Sequence, residues 1–128
     1  MDINPDFRTR LQESRREGQR RSFQRLAAGP YRLSIQASGT HHCEPRTIVP
    51  VEDYERWEVA VFTADGAWVT PETHPEVFAD PKWGQYWVPS DTGDTATGQY
   101  VPTEVVQTFY DFLVLGPDAY RELSSQES

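Results

Sequence analysis

The stretch Thr40-His41-His42-Cys43-Glu44-Pro45-Arg46 concentrates the reactive side chains of this chain. Two imidazoles, a thiol, a carboxylate and a guanidinium, from His41, His42, Cys43, Glu44 and Arg46, follow one another almost without interruption. Imidazole and thiolate are good zinc ligands, and a nearby cation could lower the thiol pKa toward nucleophilic reactivity. The spacing opposes both uses. Zinc ligands are commonly separated by two or more residues so that they can close a tetrahedron. His41, His42 and Cys43 are consecutive, and at most two of them point the same way in an extended loop. A third ligand would have to be His74 or a carboxylate. The loop therefore reads first as a polar surface for a ligand or partner, and second as the centre of a small metal- or Cys/His-dependent enzyme.

A second group is electrostatic. Residues 1–28 carry seven of the twelve cations, all arginine, against four carboxylates, for +3. The rest holds five cations against sixteen carboxylates, for −11. Guanidinium forks match phosphate oxygens, so Arg15, Arg16, Arg20 and Arg21 could grip a nucleic-acid backbone. Glu13 and Glu17 lie inside that stretch, however, and the acidic body would repel the same polymer. A protein partner, or a second copy reached by a basic arm, fits the imbalance better, and RNA or DNA is the alternative.

Two other patterns carry less. Asp91-Thr92-Gly93 resembles the tripeptide with which aspartic proteases present a catalytic carboxylate, but Pro89-Ser90 stands where such enzymes have an apolar strand. Two carboxylates sharing a proton need a dry, symmetric setting, which a Gly/Thr/Asp-rich loop does not supply. As calcium ligands, Asp91 and Asp94 lack the longer series of oxygen donors of an EF-hand loop. Trp83, Tyr86 and Trp87 could stack on sugars, but a small domain poor in aliphatic residues uses its aromatics in its core. No cofactor motif stands at a convincing spacing.

The elements that must position these groups follow from periodicity and breakers. Asn4 as a cap, Pro5 and the Gly29-Pro30 stop predict a helix over 4–27, thin in apolar residues, so residues 1–28 read as an Arg-rich helical arm. Gly18 in its middle costs about 1 kcal/mol of helix propensity. Tyr31, Leu33, Ile35 and Ala37 alternate with polar residues and predict a half-buried strand. Residues 57–63 and 67–70 predict two strands joined at Asp65-Gly66, a dipeptide suited to tight hairpins. A helical turn is expected over 51–56 and a fourth strand near 99–101. Four prolines and three glycines within 71–100 predict an ordered irregular layer filled with aromatics. Pro102 and Gly116-Pro117 bracket a helix over 102–115. A short turn at 118–123 and a frayed tail at 124–128 follow.

The expected fold class is α+β: a small antiparallel sheet of three or four strands packed against the C-terminal helix, in one domain over 29–123. At 128 residues the chain is long enough for one core, and its single cysteine excludes an internal disulfide. No apolar run is long enough to span a membrane, and no charged-then-apolar leader follows Met1, so the expected location is cytoplasmic. The function these observations favour is that of a non-enzymatic interaction or regulatory protein, with self-association as one expected form, that needs no cofactor.

Overall fold

The structure, a computed structural model, describes residues 4–127. Eight strands and three helices follow in the order β1 (Glu13–Glu17), β2 (Arg20–Phe23), β3 (Leu26–Ala28), β4 (Tyr31–Gln36), β5 (Arg56–Thr63), β6 (Trp68–Val69), α1 (Pro81–Gly84), β7 (Trp87–Pro89), β8 (Ala96–Pro102), α2 (Thr103–Leu115) and α3 (Pro117–Glu127). Strands β3-β4-β5-β8-β7 form an antiparallel sheet in that order, and β6 extends it by pairing with β5. Strands β1 and β2 make a separate two-stranded sheet. The sheet is thus six-stranded, wider than the three or four strands expected.

The Arg-rich helical arm does not exist. Among the described residues, 4–28 contain one short 3-10 turn at Phe7–Arg10 and three strands. Gly18 marks the reason: with φ of +59° it occupies the first position of a two-residue turn, Gly18-Gln19, that joins Glu17 to its cross-strand partner Arg20. A glycine there fits a hairpin turn whose twist matches that of its strands. After the turn the side chains alternate, with Arg21 and Phe23 buried and Arg20 and Ser22 facing out. An apolar-poor segment cannot bury a helical stripe, but in strand form two of every four residues reach the body.

The core lies between one face of the sheet and α2. Leu33 and Ile35 of β4, Trp57, Val59 and Val61 of β5 and Val101 of β8 meet Val106, Phe109, Tyr110 and Leu113 of α2, all nearly inaccessible to solvent. The aromatic-rich segment packs over one end. Trp83 and Trp87 lie 5.4 and 5.0 Å from the Phe109 ring centre, and Trp83 also packs on Phe112 at 4.7 Å and Tyr120 at 5.8 Å. Trp83 and Trp87 are therefore core residues and offer no platform for a sugar.

The leading residues close the other end. Phe7 is fully buried, edge-on to Trp57 at 5.3 Å. Its amide donates to Gln107 Oε1 at 2.9 Å, while Asn4 Nδ2 donates to the buried Asp111 at 2.9 Å. Residues 117–127, expected as a turn and a frayed tail, form α3, and its Tyr120 ring packs on Phe112. Ser128 at the end of that tail, and residues 1–3 at the head of the expected arm, lie outside the described residues.

Candidate functional site

Beyond β4 the chain turns through Ser38–Arg46, and this loop spends most of its reactive groups on itself. Ser38 is fully buried, and its Oγ lies 2.6 Å from His41 Nδ1. The Cys43 thiol donates to the Ser38 carbonyl at 3.1 Å. Burial pushes that thiol above its ordinary pKa, the opposite of what a nucleophile or thiolate ligand requires. Burial likewise pushes the His41 imidazole below its usual pKa, and the nearby Arg20 and His42 push it the same way against the pull of Glu58. Among the described residues, no three His, Cys, Asp or Glu side chains gather to hold a metal ion.

His42 faces the other way. Glu58, on the polar face of β5 opposite Gln36, accepts from the His42 amide at 3.1 Å and lies 2.9 Å from His42 Nδ1 through the same oxygen. A carboxylate only accepts, so the proton sits on Nδ1, and in the neutral ring Nε2 is left as an acceptor. Glu44 points to solvent, and its backbone pairs with Arg56 at the start of β5. Arg46 is exposed.

The strand next to this pair carries the one irregularity of the sheet. Between Trp57↔Val101 and Val59↔Gly98, β8 has an extra residue, and Tyr100 in that bulge adopts φ of +53°. It is the only described non-glycine residue with positive φ. Such a conformation costs a residue with a Cβ about 1–2 kcal/mol. Three contacts hold Tyr100 there: its amide donates to the His42 carbonyl at 3.1 Å, its carbonyl accepts from Arg56 Nη1 at 3.0 Å, and its ring meets the His42 ring edge-on at 5.8 Å. Its side chain is 37% exposed; among the described residues only Val88 is another large apolar group so exposed. Bulges of this kind re-aim a side chain and recur beside functional sites.

The hairpin is fastened to the beginning of the same loop. The Gly39 amide donates to the Gln19 carbonyl at 2.7 Å, so the β1–β2 turn is fastened to the loop. A Cβ on Gly39 would lie 2.7 Å from the Gln19 Cβ, so only glycine allows the approach. The four arginines, a set in the sequence, separate in the structure. Arg21 is buried: its Nη2 donates to the Val49 carbonyl at 2.9 Å and to the Tyr54 hydroxyl at 3.0 Å, and its guanidinium covers the Phe23 and Tyr54 rings. Arg16 pairs with Glu13 at 2.7 Å and Arg15 with Glu17 at 3.2 Å. Arg20 has no ion pair among the described residues and is exposed beside His41.

One loop thus joins the hairpin tip, at Gly39, to the contact of His42 with Tyr100, and Cys43 and His41 serve as its interior. Glu58, Tyr100 and Arg56 escaped the sequence reading. Glu58 interrupts the apolar run of β5 and could have been noticed, whereas the phase shift that the bulge imposes on β8 cannot be seen in ATGQYVP, which has too few apolar residues to set a phase. Asp91 and Asp94 are solvent-exposed in the β7–β8 turn, away from any apolar setting that a proton-sharing pair would need.

Comparison with known proteins finds no matching family model, no similar curated protein and no similar solved structure. The fold and the surface define a small α+β domain, and no helix in its described part is long and apolar enough to cross a membrane.

Proposed function

We propose that the chain is a non-enzymatic interaction protein that docks a protein partner on the surface formed by His42 and Tyr100, with Arg20 of the hairpin fastened to the same loop as a charged contact. The observation that carries this reading is Tyr100, an exposed aromatic held in a costly backbone conformation beside an imidazole that Glu58 orients. Strain maintained at an exposed position suits recognition, where a tyrosine supplies apolar area and a hydroxyl at small entropic cost. The enzyme alternative lacks a nucleophile, because the Cys43 thiol is buried, bonded to a carbonyl and raised in pKa. Nucleic-acid binding by the hairpin is disfavoured by the internal engagement of Arg15, Arg16 and Arg21. A second copy remains one form of the partner, since its acidic body would attract Arg20. A single reduced thiol suits the cytoplasm as the place of action.

Tyr100→Gly separates recognition from stability. Glycine accepts the backbone angle, so the variant should fold with stability unchanged or raised by up to about 1 kcal/mol. A photo-crosslinking tyrosine analogue at position 100 should form discrete protein adducts in cells, and one at the exposed Asp91 should not. Nucleic-acid adducts, or equal labelling from both positions, would overturn the proposal. Sedimentation of the full chain beside its Tyr100→Gly and Arg20→Glu variants shows whether the partner is a second copy.

A further inference from the structure

A groove of about 440 Å³ lies between the segment that follows Phe7, the edge strand β3 and the core helix α2. Tyr110 of α2, Leu26 and Ala27 of β3, and Arg10 line it, and its wall is tied by the Gln24 amide, which donates to the Gln12 carbonyl at 2.9 Å. It shares no residue with the surface around His42 and Tyr100.

The fold leaves three groups in this groove without partners. Tyr110 is only 2% exposed, yet its hydroxyl neither bonds to another described residue nor is sealed from solvent, so it is presented to the groove. A buried tyrosine ordinarily finds a partner for that hydroxyl. The second group is main chain. The two-residue turn Gly29-Pro30 makes Ala28↔Tyr31 a hydrogen-bonded pair and Leu26↔Leu33 the next, so the Ala27 N–H and C=O between them point away from β4. β3 ends the six-stranded sheet, and among the described residues nothing bonds to them there. The third is Arg10, exposed and without an ion pair or side-chain hydrogen bond among the described residues. Arg25 takes no part, because its guanidinium lies 3.7 Å from the centre of the Phe62 ring, on the sheet face away from α2.

The three groups together define a ligand chemistry. A guanidinium, a phenolic hydroxyl and a main-chain N–H are donors suited to a carboxylate, whose two oxygens accept several bonds. The chain carries −8, yet no carboxylate lines this groove to oppose an anion. The Ala27 C=O accepts one N–H beside that carboxylate, as one residue of a β ladder does for its neighbour. An acylated nitrogen supplies that single donor without charge, whereas a free ammonium would stand near Arg10 with no carboxylate to receive it. One outward-facing residue of β3 matches one amide and offers nothing to a longer strand. We infer that the groove binds a small N-acylamino acid, its amide N–H on the Ala27 carbonyl and its carboxylate on the Ala27 N–H, Arg10 and the Tyr110 hydroxyl.

The test follows the amide resonances of the isotopically labelled full chain during titration. N-acetylvaline should shift the Ala27 amide at about 1–10 mM, whereas N-acetylvalinamide, which lacks the carboxylate, and valine, which lacks the acyl group, should leave it in place. Arg10→Gln and Tyr110→Phe should each weaken binding about tenfold, as expected for loss of a hydrogen bond to a charged group. Tyr110→Phe keeps the core ring and removes only an unpartnered hydroxyl, so its melting temperature should not fall. Tyr100→Gly should bind as the parent chain does, which keeps this site separate from the proposed docking surface. Equal binding of the amide or of valine, a silent Ala27 resonance, or undiminished affinity in Tyr110→Phe would overturn the inference. A tetrapeptide ending in valine should bind no more tightly than N-acetylvaline, and a gain of about tenfold would overturn the assignment of a small molecule in favour of a polypeptide C-terminus.

Discussion

A guanidinium buried beneath a hairpin differs in kind from three that lie on its surface. Arg21 donates to a carbonyl and a hydroxyl and covers two rings, while Arg15, Arg16 and Arg20 are exposed. Removing a charged donor that satisfies buried acceptors costs about 2–3 kcal/mol, whereas exposed pairs contribute less than about 1 kcal/mol. Arg21→Ala should therefore lower the urea midpoint strongly, and alanine at 15, 16 or 20 should leave it nearly unchanged. Arg21→Lys should not rescue, since an ammonium cannot lie flat on both rings. His41 gives a pH signature. Its folded pKa is depressed by burial, so the unfolded chain binds the proton more readily. The stability contributed by neutral His41 is full above its unfolded value of about 6.5 and is lost as pH falls through the folded value. Melting temperature should fall on going from neutral to mildly acidic pH, and the slope in that window should flatten in His41→Gln.

At the scale of elements, the strand pairing is most exacting where Trp87 lies across from Gly98. A Cβ on Gly98 would stand 2.9–3.0 Å from three indole atoms, and the ring has Phe78 and Phe109 at 5.0 Å on either count. Gly98→Ala should destabilise by about 1–3 kcal/mol, read as a lower urea midpoint with unchanged slope. The elements also show what periodicity can tell. The alternation from Tyr31 to Ala37, the Asp65-Gly66 turn and the apolar stripe of Val105 to Leu113 each impose one geometry, and β4, the β5–β6 turn and α2 follow them. The segment 12–22 has no large apolar residue, so neither period can be detected in it. Asn4-Pro5 and Gly29-Pro30 then suggest helix ends that the structure does not use. Gly18, read as a defect in a helix, is the turn of a hairpin. The candidate surface is legible only in part: the loop 40–46 stands out by composition, but its division into buried Cys43 and His41 and half-buried His42 depends on Ser38 and Glu58, which meet them only in the fold.

For the whole molecule, the decisive point is that the charge imbalance along the chain does not mark a detachable part. Phe7, Phe23, Leu26 and Ala28 belong to the core, and β3 is a strand of the main sheet. Deleting residues 1–28 would expose Trp57 and leave Gln107 and Asp111 without several of their partners. Buried polar groups that lose partners cost about 1–3 kcal/mol each, comparable with the entire stability of a small domain when several are lost with core volume. The truncated chain should lack near-ultraviolet circular dichroism and cooperative melting. Charge reversal at Arg20 is the appropriate way to test electrostatic docking without dismantling the fold.

The bonds from Asn4 to Asp111 and from Phe7 to Gln107 join positions more than ninety apart in the chain. During synthesis the opening residues must wait, unpartnered, until α2 has left the ribosome. Closure of this end of the core therefore waits for α2, whereas the hairpins β1–β2 and β3–β4 can pair as soon as they are made, so the long-range step at Asn4 and Phe7 is the one that slows folding.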